Sequence, residues 1–160
     1  MVGGSNDALY TVSRTTGVAT RVGSASRFGV NEGNPLGLEW DGTNLYMTGT
    51  WTIALFAVDR STGIARRVGS ATRYGVNLSE GSGLAWDGSN LYMSGASRLY
   101  TVSTTTGVAT RVGSLTSFGV GEAQGLGLAW DGTTMYMVGA SNDALYTICL
   151  LYTSPSPRDS

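Results

Sequence analysis

The chain has 160 residues, 24 of them Gly, with 10 basic and 11 acidic side chains and a formal net charge of −1. That balance provides neither a basic stripe for nucleic acid nor an acidic solvating tail, and no apolar run is long enough to cross a membrane. All basic residues are Arg, and with no His in the chain Ser-His-Asp and Cys-His catalysis cannot be built.

From the N-terminus, Met1 to Val12 nearly repeats Met137 to Ile148, so Met1 stands where an internal strand Met belongs. A start truncated inside a repeat is the expectation. The segment Leu-Tyr-Thr-Val and its variants begin at Leu9, Leu55, Leu99 and Leu145, and a Trp-Asp-Gly triplet begins at Trp40, Trp86 and Trp130. The Trp spacings are 46 and 44 residues, and from each of the first three Leu to the next Trp is 31. A period in the mid-forties holding four strand-like segments predicts propeller blades. In the middle unit these segments are Gly83–Trp86, Leu91–Met93, Leu99–Val102 and Val108–Val112. Asp-Gly, Asn and Thr-Thr-Gly separate them as turn formers. No segment carries a helical period.

The predicted organisation is an all-β open propeller fragment over 1–148 with four-stranded antiparallel blades. A partial blade (1–23) lacks its first strand. Two blades follow (36–70 and 82–113), then a partial blade (126–148) lacking its last strand. The first strand of each blade carries Gly and Ala, as a crowded axis needs. The next two are apolar on both faces, and the fourth alternates as a rim strand would. Leu38, Trp40, Leu45, Met47, Leu84, Trp86, Leu91, Met93, Leu128, Trp130 and Met137 are the expected core between blades. Glu39 replaces Ala85 and Ala129 and is expected as a solvated channel residue, a lone carboxylate being too few oxygens for calcium. Asp41, Asp87 and Asp131 read as turn residues.

Residues 1–148 resemble bacterial β-propeller repeat proteins of the Leu-Tyr-Thr-Val-x-Thr-Thr-Gly-x-Ala-Thr-x-Val-Gly and Gly-Leu-Ala-Trp-Asp-Gly type. That resemblance implies the fold and no common activity. WD repeats end their third strand in Trp-Asp, whereas here Trp-Asp ends the first. Kelch Gly-Gly doublets and the sialidase Asp-box are missing. At residues 149–160 the repeat register is lost, and the string resembles a translated sequencing adaptor. It is expected to be a non-native tail, with Cys149 carrying no chemistry.

Long crossovers of equal length join successive blades: Ser24 to Leu36, Ser70 to Ser82 and Ser114 to Leu126. Loops kept on one face of a rigid scaffold are where binding concentrates. Each holds an aromatic-Gly-Val core (Phe28, Tyr74, Phe118) followed by an acidic residue (Glu32, Glu80, Glu122), and Arg27 and Arg73 precede two of the aromatics. The competing expectation is that the aromatic tucks under the loop while Arg and Glu pair at the surface. Trp51, in the turn between second and third strands, has only small or polar counterparts. It could stack on a sugar or anchor a partner, or simply pack.

The function expected is a non-catalytic scaffold binding a protein or glycan through the crossover face, using Trp51, Arg27, Phe28, Glu32, Arg73, Tyr74, Glu80, Phe118 and Glu122. Neither a cofactor nor a metal is expected, and neither nucleic acid nor membrane as partner. The alternatives are a structural segment of a larger extracellular repeat protein and, third, a fragment of a propeller enzyme. An extracellular or cell-surface location is favoured, and self-association through the incomplete end blades is expected.

Overall fold

The computed structural model describes residues 2–3, 7–78, 81–95, 97–114 and 117–150. Four antiparallel sheets follow one another along the chain. The first holds β1 (Val2–Gly3), β2 (Ala8–Val12) and β3 (Ala19–Arg21). The second is a four-stranded blade of β4 (Leu38–Trp40), β5 (Leu45–Gly49), β6 (Ala54–Val58) and β7 (Ala65–Arg67). The third repeats it with β8 (Leu84–Trp86), β9 (Leu91–Gly95), β10 (Arg98–Val102) and β11 (Ala109–Arg111). The fourth has β12 (Gly125–Trp130), β13 (Met135–Gly139) and β14 (Ala144–Ile148). The molecule is all-β, an open arc of propeller-like blades. The rim strands are shorter than expected: Val108 lies outside β11 and is exposed.

Register repeats from blade to blade. Leu38 faces Met47 and Trp40 faces Leu45, as Leu84 faces Met93 and Trp86 faces Leu91. The first hairpin is closed each time by the Asp of Trp-Asp-Gly. Asp41 Oδ1 accepts the N–H groups of Thr43 and Asn44 at 2.7 and 2.6 Å, and Asp87 and Asp131 do the same. These are Asx turns, in which the carboxylate replaces a ladder partner. Burial works against the Asp41 charge, but the donated hydrogen bonds outweigh it and hold its pKa below the usual range. At Asp131 the bonds from Thr134 and Thr133 dominate and bring the pKa to about 2.

The core is not inside any sheet but between sheets, in three clusters. Leu9 and Phe28 of the first unit meet Met47, Phe56 and Val58 of the second. Tyr46 and Leu55 meet Leu84, Leu91, Met93, Tyr100 and Val102. Ala85, Tyr92 and Leu99 meet Met135, with Leu128, Trp130 and Ile148 alongside. A strand flanked by two blades must be apolar on both faces, which is why β5, β6 and β9 show almost continuous burial. Inner strands approach so closely that a Cβ on Gly83 would lie 2.6 Å from the backbone nitrogen of Leu128.

Of the expected core, Met47, Leu84, Leu91, Met93 and Met137 are buried, and Leu38, Leu45, Trp86, Leu128 and Trp130 are half-buried but pack against the interblade clusters; Trp40, 37% exposed, is the correction. Each Trp ends an inner strand. Trp40 is roofed by Arg60, whose guanidinium carbon sits 4.2 Å from the ring centroid, a cation–π contact. Glu39 is not a free channel residue. It is half-buried, and its Oε1 accepts the Trp86 N–H at 3.1 Å, joining the inner strands of two blades. Burial raises its pKa against the lowering effect of that bond. Cys149 is exposed, while Leu150 packs on the third cluster, so the chain stays in contact with the fold two residues past β14. The rest of the tail, 151–160, lies outside the described residues.

Candidate binding surface on the crossover face

Every crossover makes the same tight turn. Arg27 and Phe28 have φ of 47° and 54°, Arg73 and Tyr74 have 47° and 55°, and Phe118 has 53°. Left-handed backbone costs a residue with a Cβ about 1–2 kcal/mol. Burial of the aromatic offsets it, since Phe28 and Tyr74 are fully buried. The turn is also fixed by bonds to the preceding blade: Phe28 N–H donates to the Asp7 carbonyl and Phe118 N–H to the Ser97 carbonyl, each at 3.2 Å. The Tyr74 hydroxyl donates to the Ala54 carbonyl at 3.0 Å. Phe28 and Tyr74 are therefore pillars under the loop. Phe118 is half-buried and packs on the third cluster.

The acidic residues are buried too, which corrects the expected surface pairing of Arg with Glu. Glu32 and Glu122 have no exposed surface. Glu32 accepts the Trp51 N–H at 2.6 Å, the Thr52 N–H at 3.2 Å and the Thr52 hydroxyl at 2.7 Å. Glu122 accepts the N–H groups of Ser141 at 2.7 Å, Asn142 at 3.2 Å and Gln124 at 3.3 Å. Burial opposes the Glu122 charge, but the bonds led by Ser141 win and lower its pKa. Each carboxylate thus staples a crossover to the β5–β6 or β13–β14 turn of the following blade. Glu80 lies outside the described residues. The residue structurally equivalent to Glu32 is Leu78: its N–H bonds Arg73 O as Glu32 N–H bonds Arg27 O, both at 3.3 Å. Leu78 is buried and apolar. Two residues fewer separate β9 from β10 than separate β5 from β6. The signal was in the sequence: Glu stands four residues after the aromatic where that turn is long, and Leu stands there where it is short.

What remains at the surface is Trp51, Arg27 and Arg73. Trp51 is 53% exposed, yet its indole is seated. A Cβ on Gly33 would fall 2.5 Å from the ring, so only Gly lets the ring lie against the crossover backbone. Arg27 covers the ring, its guanidinium carbon 4.9 Å from the centroid. Arg27 is itself aimed by Asn31 Oδ1 at 2.9 Å and by Asp7, 3.9 Å away. Thr50 pins the same turn through the carbonyls of Gly33 and Asn34. Arg73 is exposed on the next crossover. The surface thus offers a fixed aromatic plane and cations on a rigid base. Its buried carboxylates already accept several hydrogen bonds each and are poorly placed to move protons to a ligand.

The opposite face holds clefts that the sequence reading missed because it assigned each Trp to the core. One of about 410 Å³ is lined by Trp86, Asn90, Thr101, Thr104 and Thr106. Another, of about 520 Å³, lies beside Trp130, Thr133 and Leu150. Among the described residues no group of three or more acidic or Cys side chains is placed to hold a metal ion.

No protein-family model and no curated protein matches the chain. Solved structures do. A protein of unknown function from Bacteroides thetaiotaomicron superposes with a TM-score of 0.62 at 17% identity, covering 90% of this chain and 42% of its own. The computationally designed Ika4 protein gives 0.52 at 11%, covering 91% and 81%. A luciferin-regenerating enzyme gives 0.56 at 16%, covering 83% and 44%. The likeness is one of fold. The chain spans less than half the length of the first and third.

Proposed function

We propose that the chain is a non-catalytic repeat scaffold that binds a protein or glycan through its crossover face, with Trp51 and Arg27 as the contact. The observation that supports this is the seated, half-exposed indole of Trp51. An aromatic plane held in place before binding loses little entropy on contact, and such residues dominate recognition energetics. Arg27 beside it, and Arg73 on the next crossover, add donors for carboxylate or hydroxyl groups. Phe28, Tyr74, Glu32 and Glu122 serve this surface from beneath. The repeats are read as the Leu-Tyr-Thr-Val propeller type, and location at the cell surface or outside the cell fits that use. A fold shared with one enzyme carries no activity.

The test is a glycan array and a pull-down with the intact chain and with Trp51→Ala. Binding lost on that substitution, with thermal stability nearly unchanged, supports the reading. Binding that survives it but is lost with Thr106→Trp, which would fill the Trp86 cleft, moves the site to the opposite face, where an indole rimmed by hydroxyl and amide groups also suits a sugar. Absence of any ligand leaves the purely structural role.

A further inference from the structure

We infer that a second copy of this chain docks head to tail on the first, its first sheet against the fourth sheet of its partner. The inference comes from comparing equivalent positions in the four units. Leu9, Leu55 and Leu99 each face the following sheet and are at most 5% exposed. Their counterpart Leu145 is 69% exposed. Val138 is exposed where Thr48 and Ser94 are buried, and Ala129 is exposed where Ala85 is buried. The fourth sheet therefore carries a bare forward face.

The first sheet carries the matching half. Val58 and Val102 face the preceding sheet and are 5% and 4% exposed, but Val12 is 43% exposed. Ala19 is exposed where Ala65 and Ala109 are buried. The two bare faces are the two sides of a joint the molecule already makes three times. Tyr136, Val138, Leu145 and Thr147 on one side and Tyr10, Val12 and Ala19 on the other are uncharged; Arg21, opposite Tyr10, brings one charge to the first sheet's face, and its counterparts Arg67 and Arg111 stay exposed beside the joints the molecule makes. An exposed apolar patch of this kind marks an interaction site. Two structurally similar chains are more than twice as long as the part this chain matches, which leaves room in the fold for a second arc of this length. A head-to-tail joint between two copies is heterologous, and it stops at two when the rotation closes.

Light scattering on the full chain over a range of concentrations tests this. The expected mass is twice 16.7 kDa. Leu145→Asp and Val12→Asp, on opposite faces, should each weaken association about tenfold or more, since each sets a charge in an apolar joint. Both positions are exposed in the single chain, so circular dichroism should stay that of a β protein; Val138→Asp repeats the test on the fourth sheet. Mixing the Leu145→Asp and Val12→Asp chains should restore pairing, because one joint in the mixed pair has both faces intact. A wild-type monomer at all concentrations overturns the inference and points to further repeats of a longer chain as the natural cover. Loss of pairing with Leu145→Asp but not Val12→Asp overturns head-to-tail docking in favour of like faces meeting. Growth without limit overturns the closed pair.

Discussion

Replacing Glu32 by Ala removes the acceptor of three hydrogen bonds at once, those from Trp51 N–H, Thr52 N–H and the Thr52 hydroxyl. The hydroxyl can turn to solvent. The two backbone N–H groups belong to a turn that the Glu32 side chain fills, and a donor left unpaired out of water costs about 1–3 kcal/mol. Trp51 and Thr52 are themselves exposed, so water reaches part of the vacated space and reduces that cost. The expected loss is about 2–4 kcal/mol, read as a lower urea midpoint at unchanged m-value. Glu32→Gln keeps one acceptor and should cost less. The third blade supplies the control. Glu32→Leu combined with shortening the β5–β6 turn by two residues copies the Leu78 arrangement and should recover much of what Glu32→Leu alone loses. A Glu32→Ala loss under about 0.5 kcal/mol, within the range of ordinary surface changes, would refute the staple and mean that the turn donors are already solvated.

Substitutions in the interblade core should rank by burial: Met93→Ala at about 2–5 kcal/mol, Trp86→Ala below it and Trp40→Ala least, all read by urea titration; a larger loss at Trp40 than at Met93 would contradict the packing described. Asp131 has a folded-state pKa of about 2, below the unfolded value near 4, so its contribution is present above about pH 4 and lost as pH falls toward 2; Asp131→Asn should flatten the fall in melting temperature over that window. Glu39 has the opposite sign, its folded-state pKa being raised by burial: its contribution is fully present below the unfolded pKa and lost as pH rises through the folded one, so Glu39→Gln should raise the melting temperature at pH 7 and not at pH 3. Gly33→Ala should displace the Trp51 indole and appear as a shift in its fluorescence without loss of the β spectrum.

The repeat period made the blades legible, because strand alternation and Asx turns are local devices. Asp41, Asp87 and Asp131 each act within five residues of themselves, and their turn role could be read from Trp-Asp-Gly alone. The same locality explains why the hairpin registers follow the sequence rhythm. The candidate surface was only half legible. Trp51 stood out because its counterparts are small. Nothing local marks Glu32 as a buried acceptor, since its donors lie some twenty residues ahead, and an Arg five residues before it suggested a surface pair. Trp40, Trp86 and Trp130 look alike in sequence but end in different surroundings, one of them under Arg60.

The sequence by itself determined the number and order of strands, the turn chemistry and the apolar character of both faces of each sheet, since these follow from side-chain period and backbone preference. Only the tertiary structure decided which apolar residues are covered. Burial here is a relation between neighbouring blades: Leu9, Leu55, Leu99 and Leu145 occupy one position in the repeat, and three are buried and one is bare because three of them have a sheet in front of them and the fourth does not.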